Sequence, residues 1–212
     1  NKSIASKFEN SKLTAFGSVE SGLSLQGGDF DLCLQIQNAK QKKVLKRIGG
    51  MLRGQGMENV QIISRAKVPI VKFVDPRSGL NVDISINNTL ALHNTSLLTC
   101  YANKDERVKN LILCIKHWAL HRNLSDPLTG TLSSYAWSIL VIDHLLNEKV
   151  IPNLQSGEDR TIVEIENSEF DITINENNTL SDINNASIAE LLHSFFLSNA
   201  TRNWLDEVVS IR

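Results

Sequence analysis

The sequence predicts an α+β protein in which a small mixed β-sheet with flanking helices is followed by a mainly helical domain. Short stretches that alternate apolar and polar residues, typical of half-buried strands, occur in the first half of the chain. Apolar residues at helical spacing dominate from residue 95 to residue 146. The predicted order of strand, helix and three strands is typical of a small sheet covered by helices. We place the domains at residues 1–92 and 93–212.

Two aspartates one residue apart mark the first predicted strand, residues 29–36. Successive side chains of a strand point to opposite faces, so Asp29 and Asp31 share one face. Residues 80–86 show the same pattern, with Asp83 on the polar face. The apolar faces comprise Phe30, Leu32, Leu34 and Ile36 in the first strand and Leu80, Val82, Ile84 and Ile86 in the second.

The other elements of the first half follow from periodicity and turn residues. Residues 38–52 predict a helix that Gly54 and Gly56 end. Residues 60–64 and 70–74 predict strands, and the turn sequence DPRSG at residues 75–79 predicts a hairpin into the strand of Asp83.

The second half predicts helices on an apolar core. The predicted core stripes are Val108, Leu111, Ile112, Ile115, Trp118 and Ala119, then Tyr135, Ile139, Ile142 and Leu146, with a loop at residues 125–131 between them. Residues 155–185 are acidic and rich in asparagine, and they predict a long loop with one short strand. Residues 188–196 predict a final amphipathic helix.

Composition places the chain among folded soluble proteins. Of its 212 residues 42% are hydrophobic and 21% charged, and the net charge of −1 means that any contact with nucleic acid must come from local patches. We expect no membrane partner, because no apolar run approaches the length of a membrane span. The start lacks a signal peptide and an initiator Met, which indicates a piece of a longer protein. We expect Cys33, Cys100 and Cys114 to be buried free thiols in a reducing compartment.

The three aspartates predict a metal site. Carboxylates brought together across adjacent strands repel one another unless a cation lies between them, and Mg²⁺ binds in proteins through a few carboxylates plus substrate phosphates. This is the ligand set of two-metal phosphoryl transfer. The alternative is that Asp29 is a turn residue and Asp31 an exposed strand residue. The paired spacing together with Asp83 argues against it.

Several motifs in order resemble one family. The sequences FGSVESG (residues 16–22) and GDFDLC (residues 28–33) resemble the signature of DNA-polymerase-β-like nucleotidyltransferases. The later sequences LHNT (92–95), IKHWA (115–119) and GTLSSY (130–135) resemble the branch of terminal uridylyltransferases and cytoplasmic-type poly(A) polymerases. This resemblance implies a nucleotidyltransferase domain followed by a helical central, poly(A)-polymerase-associated domain, with the active site in the cleft between them.

The resemblance also implies roles for the acidic residues and the first turn. Asp29, Asp31 and Asp83 would hold two Mg²⁺ ions, with Mn²⁺ as the alternative, and Asp83 would be the base for the attacking 3′-hydroxyl. The backbone of Gly17 and Ser18 can approach a phosphate closely. Ser18 on its own could equally be a helix cap.

Five residues of the helical half complete the implied nucleotide site. Asn94 and Thr95 match contacts to the ribose 2′-hydroxyl, Lys116 matches a triphosphate-binding lysine, and Ser134 matches a contact to the terminal phosphates. The Tyr135 ring would stack on the base. Alternatives stay open: Asn94 and Thr95 could form a helix N-cap, Lys116 could be a snorkelling surface lysine, and Tyr135 could belong to the core.

Two positions depart from the family pattern. A second lysine usually follows the first by one helical turn, and here that position is Leu120, so we expect weaker nucleotide binding. Gly28 stands where a serine is common, which should have a mild effect. The sequence also contains a basic run without acids that fits either a solvated helix face or an RNA track: Lys40, Lys42, Lys43, Lys46, Arg47 and Arg53.

The function implied by the resemblance is template-independent addition of nucleotides to RNA 3′ ends. Residues 20–22, 93–95 and 130–135 most resemble the fission-yeast type of terminal uridylyltransferase, and this resemblance implies UTP as the substrate. An ATP-using poly(A) polymerase is the alternative, since the base-reading segment of the family would follow residue 212. A weakened member that acts as an RNA-binding scaffold is a third interpretation, prompted by Leu120. The implied partners are the RNA 3′ end, UTP or ATP, and a protein that supplies RNA specificity. The implied compartment is the cytoplasm, with the nucleus as the alternative.

Overall fold

The computed structural model describes residues 7–8, 10–37, 40–165, 167–182 and 184–211. The chain divides into two compact units, residues 1–96 and residues 97–212. The boundary lies within a helix, Thr89–Ala102. The predicted boundary between residues 92 and 93 falls in the same helix and stays a prediction.

The first unit is built on a five-stranded mixed sheet with the strand order β1-β2-β5-β4-β3. The strands are β1 Ser11–Phe16, β2 Phe30–Ile36, β3 Glu58–Ile63, β4 Ile70–Asp75 and β5 Leu80–Ile86. Strands β2 and β5 run parallel, and the other neighbours are antiparallel. The predicted mixed sheet is therefore confirmed, and so is the hairpin between β4 and β5. Strand β1 was not predicted.

One face of this sheet forms the core of the first unit. Helix α1 (Gly17–Glu20) follows β1, and helix α2 (Gln41–Gly54) places its apolar side on the sheet. Helix α2 confirms the helix predicted for residues 38–52, although residues 38 and 39 lie outside the described part of the chain. The buried core consists of Phe8, Leu32, Leu34, Val44, Leu45, Ile48, Leu52, Val71, Phe73, Val82, Ile84 and Ile86.

The second unit is mainly helical. Helix α3, Thr89–Ala102, begins in the first unit and ends in the second. The other helices of the second unit are α4 Glu106–His121, α5 Ser134–Asn147 and α6 Ile188–Thr201. The described residues between 155 and 185 contain two short strands where one was predicted, β6 Ile162–Ile165 and β7 Ser168–Asp171, which form an antiparallel hairpin. Among the described residues, none of the helices combines the length and the hydrophobicity that crossing a bilayer requires.

The core of the second unit corrects one predicted stripe. The stripe on α4 is confirmed at Val108, Leu111, Ile112, Ile115 and Ala119, which are buried. On α5 the buried apolar side chains are Leu140, Val141, Ile142 and Leu145. Of the predicted stripe, Ile142 is buried, Ile139 and Leu146 are partly buried, and the prediction was wrong at Tyr135. The helix starts at Ser134, one residue before Tyr135, and its rotation turns Tyr135 outward, with 40% of the residue exposed.

The cysteines differ in their environments. All three are free thiols, as expected, but only Cys33 is buried. Cys100 is partly exposed and Cys114 is exposed, because Cys114 lies on the side of α4 opposite its buried stripe. The expectation of three buried thiols was therefore wrong for two of them.

Two adjacent glycines of α2 offer a matched test of helix packing. A Cβ on Gly49 would lie 2.8 Å from Cδ1 of Ile62, whereas a Cβ on Gly50 would meet nothing within 4 Å. We expect Gly50→Ala to raise the free energy of unfolding by about 0.5–1 kcal/mol, because alanine is the better helix former. Gly49→Ala should lower it by about 1 kcal/mol, because Ile62 must move. Urea unfolding measures both, and equal effects would contradict this packing.

Candidate active site

The sheet register brings the three predicted carboxylates to one face. Asp31 on β2 is the direct register partner of Asp83 on β5. Asp29 precedes β2 by one residue. Their neighbours Leu32 and Ile84 are buried in the core on the opposite face, as the alternation of a strand requires. The predicted side of the sheet for these aspartates is therefore the observed one.

A lysine that the sequence analysis did not single out lies among these aspartates. Lys72 on β4 is the register partner of Asp83. Its Nζ lies 2.7 Å from Oδ2 of Asp83 and 3.7 Å from Oδ2 of Asp29. The Asp83 side chain is 15% exposed, while those of Lys72 and Asp29 are 41% and 44% exposed. One ammonium group thus links the carboxylate of Asp83 on β5 with that of Asp29 just before β2.

Burial and mutual repulsion perturb these acids. Burial, followed by the charges of Asp83 and Asp29, raises the pKa of Asp31 to about 6, although Lys72 opposes the change. Burial also raises the pKa of Asp83 above its ordinary value, again against the effect of Lys72. Burial alone would lower the pKa of Lys72, but the hydrogen bond to Asp83 and the charges of Asp83 and Asp29 raise it. The site therefore holds more negative charge than the lysine neutralises.

The donor chemistry of the site fits Mg²⁺, which prefers carboxylate oxygens. Within the described ranges, no three His, Cys, Asp or Glu side chains lie close enough together to hold a metal ion as they stand. Asp31 is the register partner of Asp83, and Lys72 contacts both Asp83 and Asp29, so the three carboxylates are near enough to repel one another. A divalent cation would relieve this repulsion more completely than a single ammonium group does.

The turn at Gly17 fits closely against Asp31. Gly17 has φ +80°, and a Cβ on it would lie only 2.3 Å from Oδ2 of Asp31. The N–H of Gly17 donates to Oγ1 of Thr95 over 2.9 Å, and Oγ1 of Thr95 donates to the carbonyl of Ala91 over 2.7 Å. Glycine is thus required here for both conformation and space. Ser18 lies beside it, half-buried, in helix α1.

Helix α3 corrects one alternative for Asn94 and Thr95. The helix begins at Thr89, so these residues lie in its interior and do not form its N-cap. Asn94 is half-buried, and Thr95 is buried against the Gly17 turn. Their predicted contact with a ribose stays a prediction. The link from Thr95 to Gly17 was missed, because nothing in the sequence pairs positions so far apart.

A groove of about 340 Å³ extends from the carboxylates across β3, β4 and β5. Amide side chains from β3 and β5 line it beside the charged groups. Its lining residues are Asp29, Asn59, Gln61, Lys72, Phe73, Val74, Asn81 and Asp83. The amides can donate and accept hydrogen bonds, which suits a polar ligand next to the acids.

The remaining predicted nucleotide-binding residues belong to the second unit. Lys116 is buried on α4, 7% exposed, and burial lowers the pKa of its ammonium group. The alternative of a snorkelling surface lysine is therefore wrong. Ser134 is the first residue of α5, and Tyr135 follows it. Trp118 packs on the rings of Trp137 and Phe196, with centroid distances of 5.7 and 4.8 Å, which confirms it as a core residue. Leu120 is 53% exposed.

The basic run of α2 lies away from the carboxylates. Helix α2 packs on the core face of the sheet, opposite the face of Asp31. Part of the run lines a groove of about 470 Å³, where the guanidinium of Arg47 lies 4.9 Å from the centroid of the Phe8 ring. The other lining residues are Lys7, Ile36, Lys40, Lys43 and Val44.

Comparison with known proteins identifies the family. The family model of the central palm domain of mitochondrial-like poly(A) RNA polymerase matches residues 1–103. The chain is 36% identical over 202 residues to terminal uridylyltransferase cid1 of Schizosaccharomyces pombe, covering 88% of this chain and 48% of that protein. It is 33% identical over 218 residues to poly(A) RNA polymerase cid11 of the same organism, covering 99% of this chain and 44% of that protein. It thus spans about half the length of these relatives.

A solved structure agrees in fold. The structure of the Cid1 poly(U) polymerase bound to Mg and 3′-dATP superposes with a TM-score of 0.87 at 32% identity, over 99% of this chain and 67% of that one. The chain therefore belongs to the family of terminal uridylyltransferases and poly(A) RNA polymerases, a branch of the template-independent RNA nucleotidyltransferases. The resemblance drawn from the sequence motifs is confirmed.

The close approach of Gly17 to Asp31 gives a testable prediction. We expect Gly17→Ala to lower the free energy of unfolding by about 2–4 kcal/mol, because a strained backbone and a clash add together. Gly27→Ala is the matched control, since Gly27 also has φ +80° but a Cβ there meets nothing within 4 Å. It should lower the free energy of unfolding by about 1–2 kcal/mol. Chemical denaturation measures both, and equal losses would contradict the close approach.

The raised pKa of Asp31 predicts a pH-dependent stability. A carboxyl whose pKa is raised in the folded protein stabilises it below the unfolded value, 3.8, and this contribution is lost as the pH rises through about 6. In metal-free buffer at pH 7.5, about 1.5 units above that pKa, Asp31→Asn should therefore raise the free energy of unfolding by about 1–2 kcal/mol after solvent screening. In Asp31→Asn, the free energy of unfolding should also change less between pH 4 and pH 6 than it does in the wild type.

Asp75→Asn is the control for this prediction. The hydrogen bond from Ser78 lowers the pKa of Asp75, so its charged form stabilises the folded protein and its amide variant should be no more stable than the wild type. Denaturation curves from pH 4 to 8 compare the three proteins. A destabilised Asp31→Asn at neutral pH would contradict the inferred repulsion.

Proposed function

We propose that this chain is the catalytic part of an RNA uridylyltransferase, which adds UMP from UTP to RNA 3′ ends without a template. The observation that supports it most is the clustering of three carboxylates: Asp31 is the register partner of Asp83, and Lys72 contacts both Asp83 and Asp29. Family membership adds that relatives of the same fold are nucleotidyltransferases.

In this proposal Asp29, Asp31 and Asp83 hold Mg²⁺, for which Mn²⁺ can substitute. The bound ions would neutralise the charge that develops on the transferred phosphoryl group. Asp83 would also accept the proton of the attacking 3′-hydroxyl, the role that the family resemblance implies for it. Gly17 and Ser18 would bring backbone N–H groups to the phosphates.

The second unit would supply the rest of the nucleotide site. Lys116 would bind the triphosphate, and a phosphate next to this buried ammonium would stabilise its charge. Ser134 would contact the terminal phosphates, and the exposed ring of Tyr135 is accessible for stacking on a base. Asn94 and Thr95 would recognise the ribose.

We choose UTP because the sequences of residues 20–22, 93–95 and 130–135 resemble those of terminal uridylyltransferases. The relatives above include both a terminal uridylyltransferase and a poly(A) RNA polymerase, so ATP is the alternative substrate. A catalytically weakened scaffold is a different class of function, favoured by the exposed Leu120 at the position of the usual second lysine. The partners in the proposal are the RNA 3′ end and a protein that selects the RNA. The free thiols support the cytoplasm as its compartment.

The test is extension of a labelled oligonucleotide by the complete protein with each of the four nucleoside triphosphates. We expect extension with UTP to exceed extension with ATP. The double variant Asp29→Ala plus Asp31→Ala should abolish extension with every nucleotide, because it removes two of the three proposed metal-binding carboxylates.

The matched control removes two other acids of the same sheet, the exposed Glu58 and the partly exposed Asp75, by substitution with Ala, and should retain extension. Undiminished extension by the aspartate double variant would overturn the proposal. Preferred use of ATP would favour the poly(A) polymerase. A wild-type protein without extension or Mg²⁺-dependent nucleotide affinity would favour the scaffold.

A further inference from the structure

We propose that Lys72 is a resident counter-ion of the active site, which a divalent cation must displace before it can bind. Lys72 then lowers the affinity for free metal ions and makes metal binding depend on the arriving nucleotide. This inference rests on the proposed function, because it assumes that Asp29 and Asp83 are metal ligands.

The sheet register imposes the position of Lys72. Strands β4 and β5 are antiparallel, and Lys72 lies directly opposite Asp83. Side chains that face each other across an antiparallel pair have Cβ atoms about 4.5–5.5 Å apart and point to the same face. The neighbours Val71 and Phe73 are buried in the core, which leaves Lys72 on the face of the carboxylates. The ion pair therefore follows from the backbone.

The ammonium group contacts the same kind of atoms that a metal ion needs. Nζ of Lys72 lies 2.7 Å from Oδ2 of Asp83 and 3.7 Å from Oδ2 of Asp29. Mg²⁺ binds carboxylate oxygens at about 2.0–2.1 Å, closer than the ammonium approaches them. An ammonium group and a divalent cation held by the same two carboxylates would lie close together and repel each other. Their binding is therefore competitive.

Lys72 can leave the carboxylates without becoming buried. Its side chain is 41% exposed and borders the groove lined by Asn59, Gln61 and Asn81. A lysine stem has four carbons and rotates freely, so the ammonium can move into this groove and exchange its carboxylate partners for water and amide oxygens. Displacement thus requires a local change of rotamer and leaves the sheet intact.

The exchange links metal binding to nucleotide binding. A free metal ion must compete with the ammonium for Asp83 and Asp29, which weakens its binding. A metal ion that arrives with a triphosphate gains phosphate oxygens as further ligands, and this extra binding offsets the lost ion pair. The ion pairs of Lys72 with Asp83 and Asp29 therefore favour binding of the metal ion together with the nucleotide over binding of the metal ion alone.

Binding of Mn²⁺ alone, followed by electron paramagnetic resonance, tests the exchange. We expect Lys72→Met to bind Mn²⁺ about five- to tenfold more tightly than the wild type, because the competing cation is gone. Lys72→Arg keeps the charge and should restore the weaker affinity. Lys12→Met removes an exposed lysine from the edge strand β1 and should leave the affinity unchanged.

A second measurement keeps the test independent of folding. Addition of UTP should tighten Mn²⁺ binding more in the wild type than in Lys72→Met, and circular dichroism should show that both proteins are folded. Equal Mn²⁺ affinities in the two folded proteins, with RNA extension by the wild type intact, would overturn the exchange and leave the proposed function standing. If neither protein bound Mn²⁺, whether UTP was present or absent, both the exchange and the proposed function would be overturned.

Discussion

Repulsion among three carboxylates is the constraint on which the rest of the site depends. Strand register places Asp31 beside Asp83, and Asp29 lies just before the same strand. Burial and the nearby charges of Asp83 and Asp29 both disfavour the charged form of Asp31, and its pKa, raised to about 6, expresses that cost. The fold tolerates this arrangement because the opposite face of the same strands forms a continuous apolar core. Stability from that core maintains a cluster that is itself destabilising.

Two residues outside the trio fit this constraint in different ways. Lys72 offsets part of the charge from the neighbouring strand. Gly17 leaves the space that Oδ2 of Asp31 occupies, and the hydroxyl of Thr95 fixes the Gly17 turn from helix α3. Both residues act on the position and charge of the carboxylates. Their effects should therefore be seen in stability and metal binding as well as in the rate of nucleotide transfer.

The sequence could predict whatever depends on local periodicity. Alternation identified β2 and β5 and placed Asp29, Asp31 and Asp83 on the polar face, because the side-chain period of a strand is two. Strand β1 escaped prediction because Ser11–Phe16 has few large apolar residues, and its pairing with β2 supplies the missing support. Lys72 escaped for a related reason, since its partner depends on the register of β4 with β5. The exposure of Tyr135 on α5 also could not be predicted, because packing rather than spacing decides which side of an apolar helix is buried.

Anomalous X-ray diffraction from crystals of the protein soaked with Mn²⁺ and a non-hydrolysable UTP analogue tests the central claim most directly. The account predicts an anomalous peak about 2.0–2.3 Å from carboxylate oxygens of both Asp29 and Asp31, with Nζ of Lys72 withdrawn from Asp83. A peak bound elsewhere on the protein, with the Lys72 to Asp83 ion pair intact in the presence of the bound analogue, would contradict it.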